Sequence, residues 1–395
     1  MSAYYHSYQS TASSILGSFS FKESFPVYLK KFFKQHKKYG SRDRKIIADL
    51  CFGFFRIGNA ATSYSIVEQM MMGYFLTHDF DGGYLAFANP ALADKIGASI
   101  EEKIDIIEQQ FSGFNLAKLF PSHSSISAAI VQHDFALHHF RKPSFFLRVR
   151  PLKREKVLAA LKAQSIPAKL IGDIAIRIDA NVDVEKLIDL DTDAVVQDIS
   201  SQKTINLLAD LPDHPTTIWD ACAGSGGKSI MLADRYRKVG LYVSDIREEI
   251  LQELERRFKL AGIVAQKLFC TDLQHPMSTQ VAKSNLPEGG VDLIVADVPC
   301  SGSGTWGRTP ELLRSFDETM ISEYQFMQKS IVTRLPAQLK PGGHLLYITC
   351  SVFKEENDEV VDYIEQSLGL TLVRKEMISG INEGGDHLFA ALFTS

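Results

Sequence analysis

The sequence predicts an α/β protein. Its C-terminal half should fold around a mostly parallel sheet, preceded by a small α/β module and a helical N-terminal domain. Three observations carry this prediction. From about Val196 onward, short apolar runs alternate regularly with stretches of helical length, the pattern of a sheet with helices on both faces. Between residues 139 and 195, a strand, a helix and one or two further strands follow one another. Before residue 138 the apolar spacing is helical.

The elements follow in order. Ser41-Arg42-Asp43-Arg44-Lys45 precedes Ile46, Ile47, Leu50, Cys51, Phe54 and Phe55, whose spacing marks one apolar helical face. Gly82-Gly83 and Asn89-Pro90 mark a loop or insertion. A second unit starts near Lys142-Pro143, with a strand at 144–149 and a helix at 153–163 carrying Val157, Leu158 and Leu161 on one face. Residues 168–178 read as one or two strands. In the C-terminal domain, strands are expected at 217–221, 241–244, 267–270, 291–296 and 344–348, and helices at 229–237, 248–261, 320–339 and 356–367. Lys340-Pro341-Gly342-Gly343 reads as the turn that feeds the last strand. The expected domains are therefore 1–138, 139–195 and 196–395.

At 395 residues the chain is too long for one ordinary core, and its 45% hydrophobic and 23% charged content is globular. A net charge of −4 excludes a globally basic nucleic-acid binder, so any such contact must use local patches. Five cysteines without a Cys-x-x-Cys pair argue against a disulfide framework and a zinc site. A reducing cytoplasm fits that usage. The polar opening segment has no signal-peptide core, and no apolar run reaches membrane-spanning length. No metal and no membrane partner are expected, and without a heptad run the expected state is a monomer.

Two cysteines stand out. Cys300 lies in Asp297-Val298-Pro299-Cys300-Ser301-Gly302, and Cys350 in Tyr347-Ile348-Thr349-Cys350-Ser351. Each loop follows a strand, and residues just past strand ends in a parallel sheet face the ligand crevice. Two thiols beside the Asp297 carboxylate point to covalent chemistry, although the residues alone do not rank the thiols. A second loop, Asp220 to Ser229, joins the first strand of the domain to a helix through Cys222, Ala223, Gly224, Ser225, Gly226, Gly227 and Lys228. Its glycines allow close backbone approach to a ligand, and the helix N-terminus favours an anionic group. A phosphate-binding Walker loop is disfavoured because Cys222 takes a required glycine position. A strict dinucleotide loop fails at Ser229. Asp245 and Asp272 close the next two strands. A carboxylate about 20 residues past such a loop accepts hydrogen bonds from ribose hydroxyls; the plainer alternative is a helix cap or turn residue. A nucleoside-bearing cofactor without a pyrophosphate fits this layout, and S-adenosylmethionine is the natural candidate.

These residues resemble the RNA (cytosine-5)-methyltransferases of the RsmB-like type. Asp220 to Ser229 is similar to that family's D-x-C-A-A-P-G-G-K-T motif. Asp297 to Glu311 is similar to its D-A-P-C-S-G-x-G-x-x-x-R-x-P-E loop, and Tyr347 to Val361 to its Y-x-T-C-S-x-x-x-x-E-N-E-x-V-V segment. Val196 to Gln202 resembles the opening of its catalytic domain, Phe146-Leu147-Arg148-Val149 its preceding small domain, and the stretch from Arg42 to Arg56 its NusB-like helical domain. There are departures: Gly224-Ser225 replaces Ala-Pro, Arg150 stands where Asn is usual, and Asp386-His387-Leu388-Phe389 stands where D-G-F-F is usual.

The resemblance implies a Rossmann-like class I methyltransferase domain after an RRM-like module and a NusB-like domain. It also implies S-adenosylmethionine as cofactor and RNA as substrate, with small-subunit ribosomal RNA favoured over transfer RNA. Carbon 5 of cytosine is a poor nucleophile until a thiolate adds to carbon 6. Since a free thiol has a pKa of about 8.5, the site must favour the thiolate. The resemblance implies that Cys350 attacks, that Cys300 assists release, and that Asp297 binds the cytosine edge and lines the cofactor pocket. Cys51, Cys222 and Cys270 read as packing residues. Candidate RNA contacts are Arg308, the basic run holding Lys37, Lys38, Arg42 and Arg44, and a second cluster that includes Arg148. A non-catalytic RNA-binding assembly factor is the competing class. A DNA methyltransferase is disfavoured by the thiol in Thr349-Cys350-Ser351.

Overall fold

The computed structural model describes residues 2–179, 182–211 and 214–395. They form two compact units, one of residues 2–142 with Thr305–Glu318, the other of Pro143–Gly304 with Thr319–Ser395. The first unit is helical. Its helix Ser41–Arg56 buries Ile46, Ile47, Leu50, Cys51 and Phe55 as the spacing predicts, while Phe54 is half-buried with the Arg314 guanidinium 4.2 Å from its ring centre. Where a loop was expected, Gly83 and Pro90 open two short helices, Tyr84–Ala88 and Pro90–Ala93. The segment Thr305–Glu318 interrupts the C-terminal domain in sequence yet packs in the helical unit. Glu311 accepts a hydrogen bond from the Phe25 N–H at 3.2 Å, and Arg314 donates to the Gln69 side chain at 2.6 Å.

In the second unit, the small module is a four-stranded antiparallel sheet of β1 (Phe145–Val149), β2 (Ala168–Ile171), β3 (Ala175–Ile178) and β4 (Ala194–Val196), in the order β2-β3-β1-β4. The helix Arg154–Ala163 covers it through Val157 and Leu161.

The larger sheet has seven strands: β5 (Thr217–Asp220), β6 (Gly240–Asp245), β7 (Lys267–Cys270), β8 (Val291–Asp297), β9 (Leu339–Thr349), β10 (Thr371–Ser379) and β11 (His387–Thr394). Their order is β10-β11-β9-β8-β5-β6-β7. The five strands from β9 to β7 are parallel; β11 pairs antiparallel with both β9 and β10. Alternate residues feed two cores, with Ile218, Leu293 and Leu346 on one face and Trp219, Ile294 and Leu345 on the other. This period of two is the property of a sheet covered on both sides.

Three differences from the sequence expectation have physical causes. The helix expected over 320–339 is Thr319–Val332; Pro336 cannot continue it and opens a short 3-10 turn before β9. The expected turn at 340–343 is a bulge inside β9. Val291 pairs with Leu339 and Leu293 with His344, so the extra residues loop out, with Gly342 in the left-handed region. The hairpin of β10 and β11 lies beyond the expected elements, and β11 inserts between β9 and β10.

Arg148 requires a correction. It is 1% exposed, pairs with Asp234 at 2.6 Å and donates to Gln197 at 2.7 Å. Arg150, the departure from the family pattern, binds the same Asp234 carboxylate at 2.8 Å. This cluster fastens the small module to the helix Gly227–Arg235 and offers no guanidinium at position 148 to RNA. Removing one partner of a buried ion pair strands the other's charge. Asp234→Ala is therefore expected to lower stability by about 3–5 kcal/mol, read as a fall in the denaturant midpoint of the unit.

Candidate active site

The sheet reverses its winding direction between β5 and β8, and ligands bind outside the carboxyl ends of strands at such a point. A cleft of about 560 Å³ lies there. It is lined by Cys222, Asp245, Asp272, Asp297, Cys300 and Cys350, with Ile246, Leu273 and Val298 as apolar wall. These residues follow β5, β6, β7, β8 and β9, so five separate segments meet at one crevice.

The thiols are adjacent. Cys300 Sγ and Cys350 Sγ are 3.2 Å apart, and the Cys350 N–H points to Cys300 Sγ at 3.3 Å. Gly304 allows this approach: its N–H donates to the Cys350 carbonyl at 2.9 Å, and a Cβ there would stand 2.2 Å from the His387 carbonyl oxygen. The Cys300 pKa is pushed well above that of a free thiol, first by the hydrogen bond to Cys350, then by burial and the neighbouring charges of Cys350 and Glu356. Cys300 is thus held in its protonated form.

Lys228 Nζ lies 2.6 Å from Asp297. Burial works against its charge, but Asp297 outweighs burial and holds its pKa above the usual value; Cys350 acts in the same direction, placing the ammonium within electrostatic reach of that sulfur. Asp245, 5% exposed, accepts from the Gly224 N–H at 2.9 Å and from Arg247. Burial alone would raise its carboxyl; Arg247 and the backbone donors outweigh that and hold it below the ordinary value. Asp272 is exposed and accepts from the Gln274 N–H at 2.9 Å, so it serves as a turn cap while facing the cleft.

Within the glycine loop Ala221 and Cys222 line the cleft, and burial lifts the Cys222 thiol well above the usual range. Ala223, Gly224, Gly226, Gly227 and Lys228 form the turn behind it. Gly224 and Gly226 have φ of 52° and 85°, in the left-handed region that favours glycine. Ser225 faces away: its carbonyl and hydroxyl accept from Arg257 at 2.7 and 3.0 Å, in a separate depression shared with Asp191. That corrects its placement among the cofactor contacts and makes it an anchor of the loop. Cys51 is buried as expected, whereas Cys270 is exposed at the end of β7 and is not a core residue. Arg308 is half-buried in the helical unit.

Sequence reasoning missed Tyr324 and Met327, which reach the cleft from the helix Thr319–Val332. Nothing in their helical spacing marks them. It also gave no role to Glu356, although the residue sits in the quoted Cys350 segment. Among the described residues no group of three or more His, Cys, Asp or Glu is arranged to hold a metal, and no helix is long and apolar enough to cross a membrane.

A seven-stranded sheet of this order, with a glycine loop and acidic strand ends on one crevice, defines a class I methyltransferase domain. Residues 207–384 match the family model described as 16S rRNA methyltransferase RsmB/F. The match lies within the C-terminal domain and covers under half of the chain. It is 32% identical over 214 residues to "Ribosomal RNA small subunit methyltransferase B" of Vibrio vulnificus, covering 53% of this chain and 47% of that protein. It is 30% identical over 184 residues to a 28S rRNA (cytosine(4447)-C(5))-methyltransferase of Homo sapiens, covering 45% of this chain and 21% of that protein. The chain spans about half the length of the curated bacterial relatives it matches. In fold it is similar to the crystal structure of PH0851, with a TM-score of 0.68, 19% identity and 96% of both chains covered.

The loop has its own titration. Asp220, 1% exposed, accepts from the Ser229 hydroxyl at 2.5 Å, and burial raises its pKa from 3.8 to about 7. Between those values the unfolded chain has lost the proton that the folded chain keeps, so stability falls as pH rises and levels off above about 7. Asp220→Asn is expected to remove that decline, so that melting temperatures of variant and parent diverge progressively from pH 4 to pH 7.

Proposed function

We propose that the protein is a methyltransferase that forms 5-methylcytosine in RNA through a covalent bond between Cys350 and carbon 6 of the base. The apposition of two thiols 3.2 Å apart, on the wall of a cleft that also presents Asp245, Asp272 and Asp297, carries this reading. S-adenosylmethionine, when bound, supplies an electrophilic methyl group. Asp245, at the end of β6, is placed to accept hydrogen bonds from ribose hydroxyls, with Asp272 beside it. The half-buried Lys228–Asp297 pair brings a cation near Cys350. Cys350 adds to carbon 6, carbon 5 becomes nucleophilic and takes the methyl group, and loss of the carbon 5 proton then expels the sulfur. Cys300, protonated and in contact with Cys350, is placed to assist that release. Asp297 faces the cleft where a cytosine edge would lie.

Small-subunit ribosomal RNA is the favoured substrate, supported by the family description and the bacterial relatives. Transfer RNA is the second choice. The thiol chemistry needs reduced cysteines, which suits a cytoplasmic enzyme, and all the groups named come from one chain, so a monomer suffices. For RNA contacts, Lys37, Lys38, Arg42 and Arg44 are exposed on the helical unit. In that unit Arg42, Lys45, Arg141 and Lys142 also line a cleft of about 880 Å³ beside Phe80, which is 79% exposed and available for base stacking. Arg308 is a further candidate in the same unit.

Two outcomes are expected. With ribosomal RNA and S-adenosylmethionine, Cys300→Ala should accumulate a denaturation-resistant RNA adduct. Cys350→Ala should form none and lose methyl transfer by about a thousandfold or more. The reverse pattern would exchange the two roles, and no adduct or methyl transfer with any RNA would favour a non-catalytic assembly factor. Charge reversal at Arg42 and Lys45 should flatten the dependence of log affinity on log salt by about 0.7 per lost phosphate contact. An unchanged slope would remove this surface from the RNA path.

A further inference from the structure

Glu356 is fully buried. Its Oε2 accepts from the Ser301 N–H and from the Gln328 side-chain amide, both at 2.9 Å, and its Oε1 accepts from the Ser351 hydroxyl at 2.6 Å. Ser301 directly follows Cys300, and Ser351 directly follows Cys350. Gln328 also donates to the Pro299 carbonyl at 2.9 Å, on the other side of Cys300. Three donors converge on the carboxylate, and among the described residues no cation pairs with it. An isolated buried charge is costly, and an apolar side chain would fill the same space more cheaply. What this carboxylate does that an apolar group cannot is tie the backbone after one thiol to the side chain after the other.

We propose that Glu356 is the positioning residue of the thiol pair, locking the Cys300 loop against the Cys350 loop and so setting the 3.2 Å spacing of the sulfurs. The inference rests on the covalent mechanism above for its catalytic meaning, but the arrangement itself is testable without RNA. The charge has a second effect. Cys300 is faced by Cys350, by Glu356 and, from the helix Thr319–Val332, by Tyr324; Lys228 faces Cys350 from the helix Gly227–Arg235. Burial raises Glu356 above the ordinary carboxyl value, while the converging donors favour the ionised form. Removing that negative charge makes the Cys300 thiolate easier to form.

The test compares Glu356→Gln, which keeps the volume but turns an amide N–H2 towards a donor, with Glu356→Asp, which keeps the charge. Iodoacetamide alkylation of each thiol is followed by peptide mass spectrometry across neutral to alkaline pH. In Glu356→Gln, alkylation of Cys300 near neutral pH should rise about tenfold, the effect of one pKa unit. The kcat for methyl transfer should fall about a hundredfold with the RNA KM nearly unchanged, as expected for misplacement of reacting groups. Glu356→Asp should restore slow alkylation of Cys300 and recover part of kcat. Unchanged alkylation and kcat in Glu356→Gln would overturn the proposal. So would a joint loss of melting temperature, kcat and RNA affinity with no recovery in Glu356→Asp, because that is a folding defect alone. If the wild type methylates no RNA, the proposed function falls, and the alkylation rates still decide the role of Glu356.

Discussion

The parallel register of β8 against β9 is the constraint on which the site depends. Asp297 lies opposite Ile348, so the two strands end side by side and the loops that follow start about 4.8 Å apart. The pairing continues past the strands, through the Val298 N–H on the Ile348 carbonyl at 3.1 Å and the Gly304 N–H on the Cys350 carbonyl at 2.9 Å. Two thiols separated by 50 residues are thereby held within van der Waals contact of each other. Shift that register by one residue and Cys300 would face a different neighbour, while every side chain of the strand would change faces.

The electrostatics divide labour between two chemically identical groups. The hydrogen bond between the sulfurs and burial hold the proton on Cys300. Lys228, held by Asp297, adds positive charge on the Cys350 side, and Glu356 adds negative charge on the Cys300 side. The raised Cys300 value comes first from its hydrogen bond to Cys350 and then from burial and these neighbours. The cofactor side follows the same logic: Asp245 holds the Gly224 N–H and so fixes the loop whose glycines make the turn.

The helical unit is built on different rules. Its core is a set of amphipathic helix faces; Arg56 and Lys103 are buried, while other cations gather around one cleft with an exposed aromatic ring. The segment Thr305–Glu318 contributes to this unit although it begins inside the quoted Cys300 loop, which ends at Glu311. One sequence motif therefore serves two bodies, its first half supplying the thiol and its second half the packing around Glu311.

Sequence alone determined what was local. Strand and helix alternation, the glycine loop, the acidic strand ends and the two Pro-Cys and Thr-Cys loops were all legible, because hydrophobic period and turn chemistry depend on near neighbours. The helix Glu248–Ala261 has the expected bounds, and β7 likewise. Tertiary structure decided what depends on distant partners. Arg148 and Lys37 are both cations in a sequence window, but only burial against Asp234 shows that the first is structural. The β10–β11 hairpin, the bulge at Gly342, the outward turn of Ser225 and the contribution of Tyr324 to the cleft also needed the assembled sheet. Above all, the motifs identified two reactive cysteines, while their spacing and the buried carboxylate that ties them together arise only when β8 and β9 pair. Contacts between residues far apart in the chain leave no periodicity for the sequence to display.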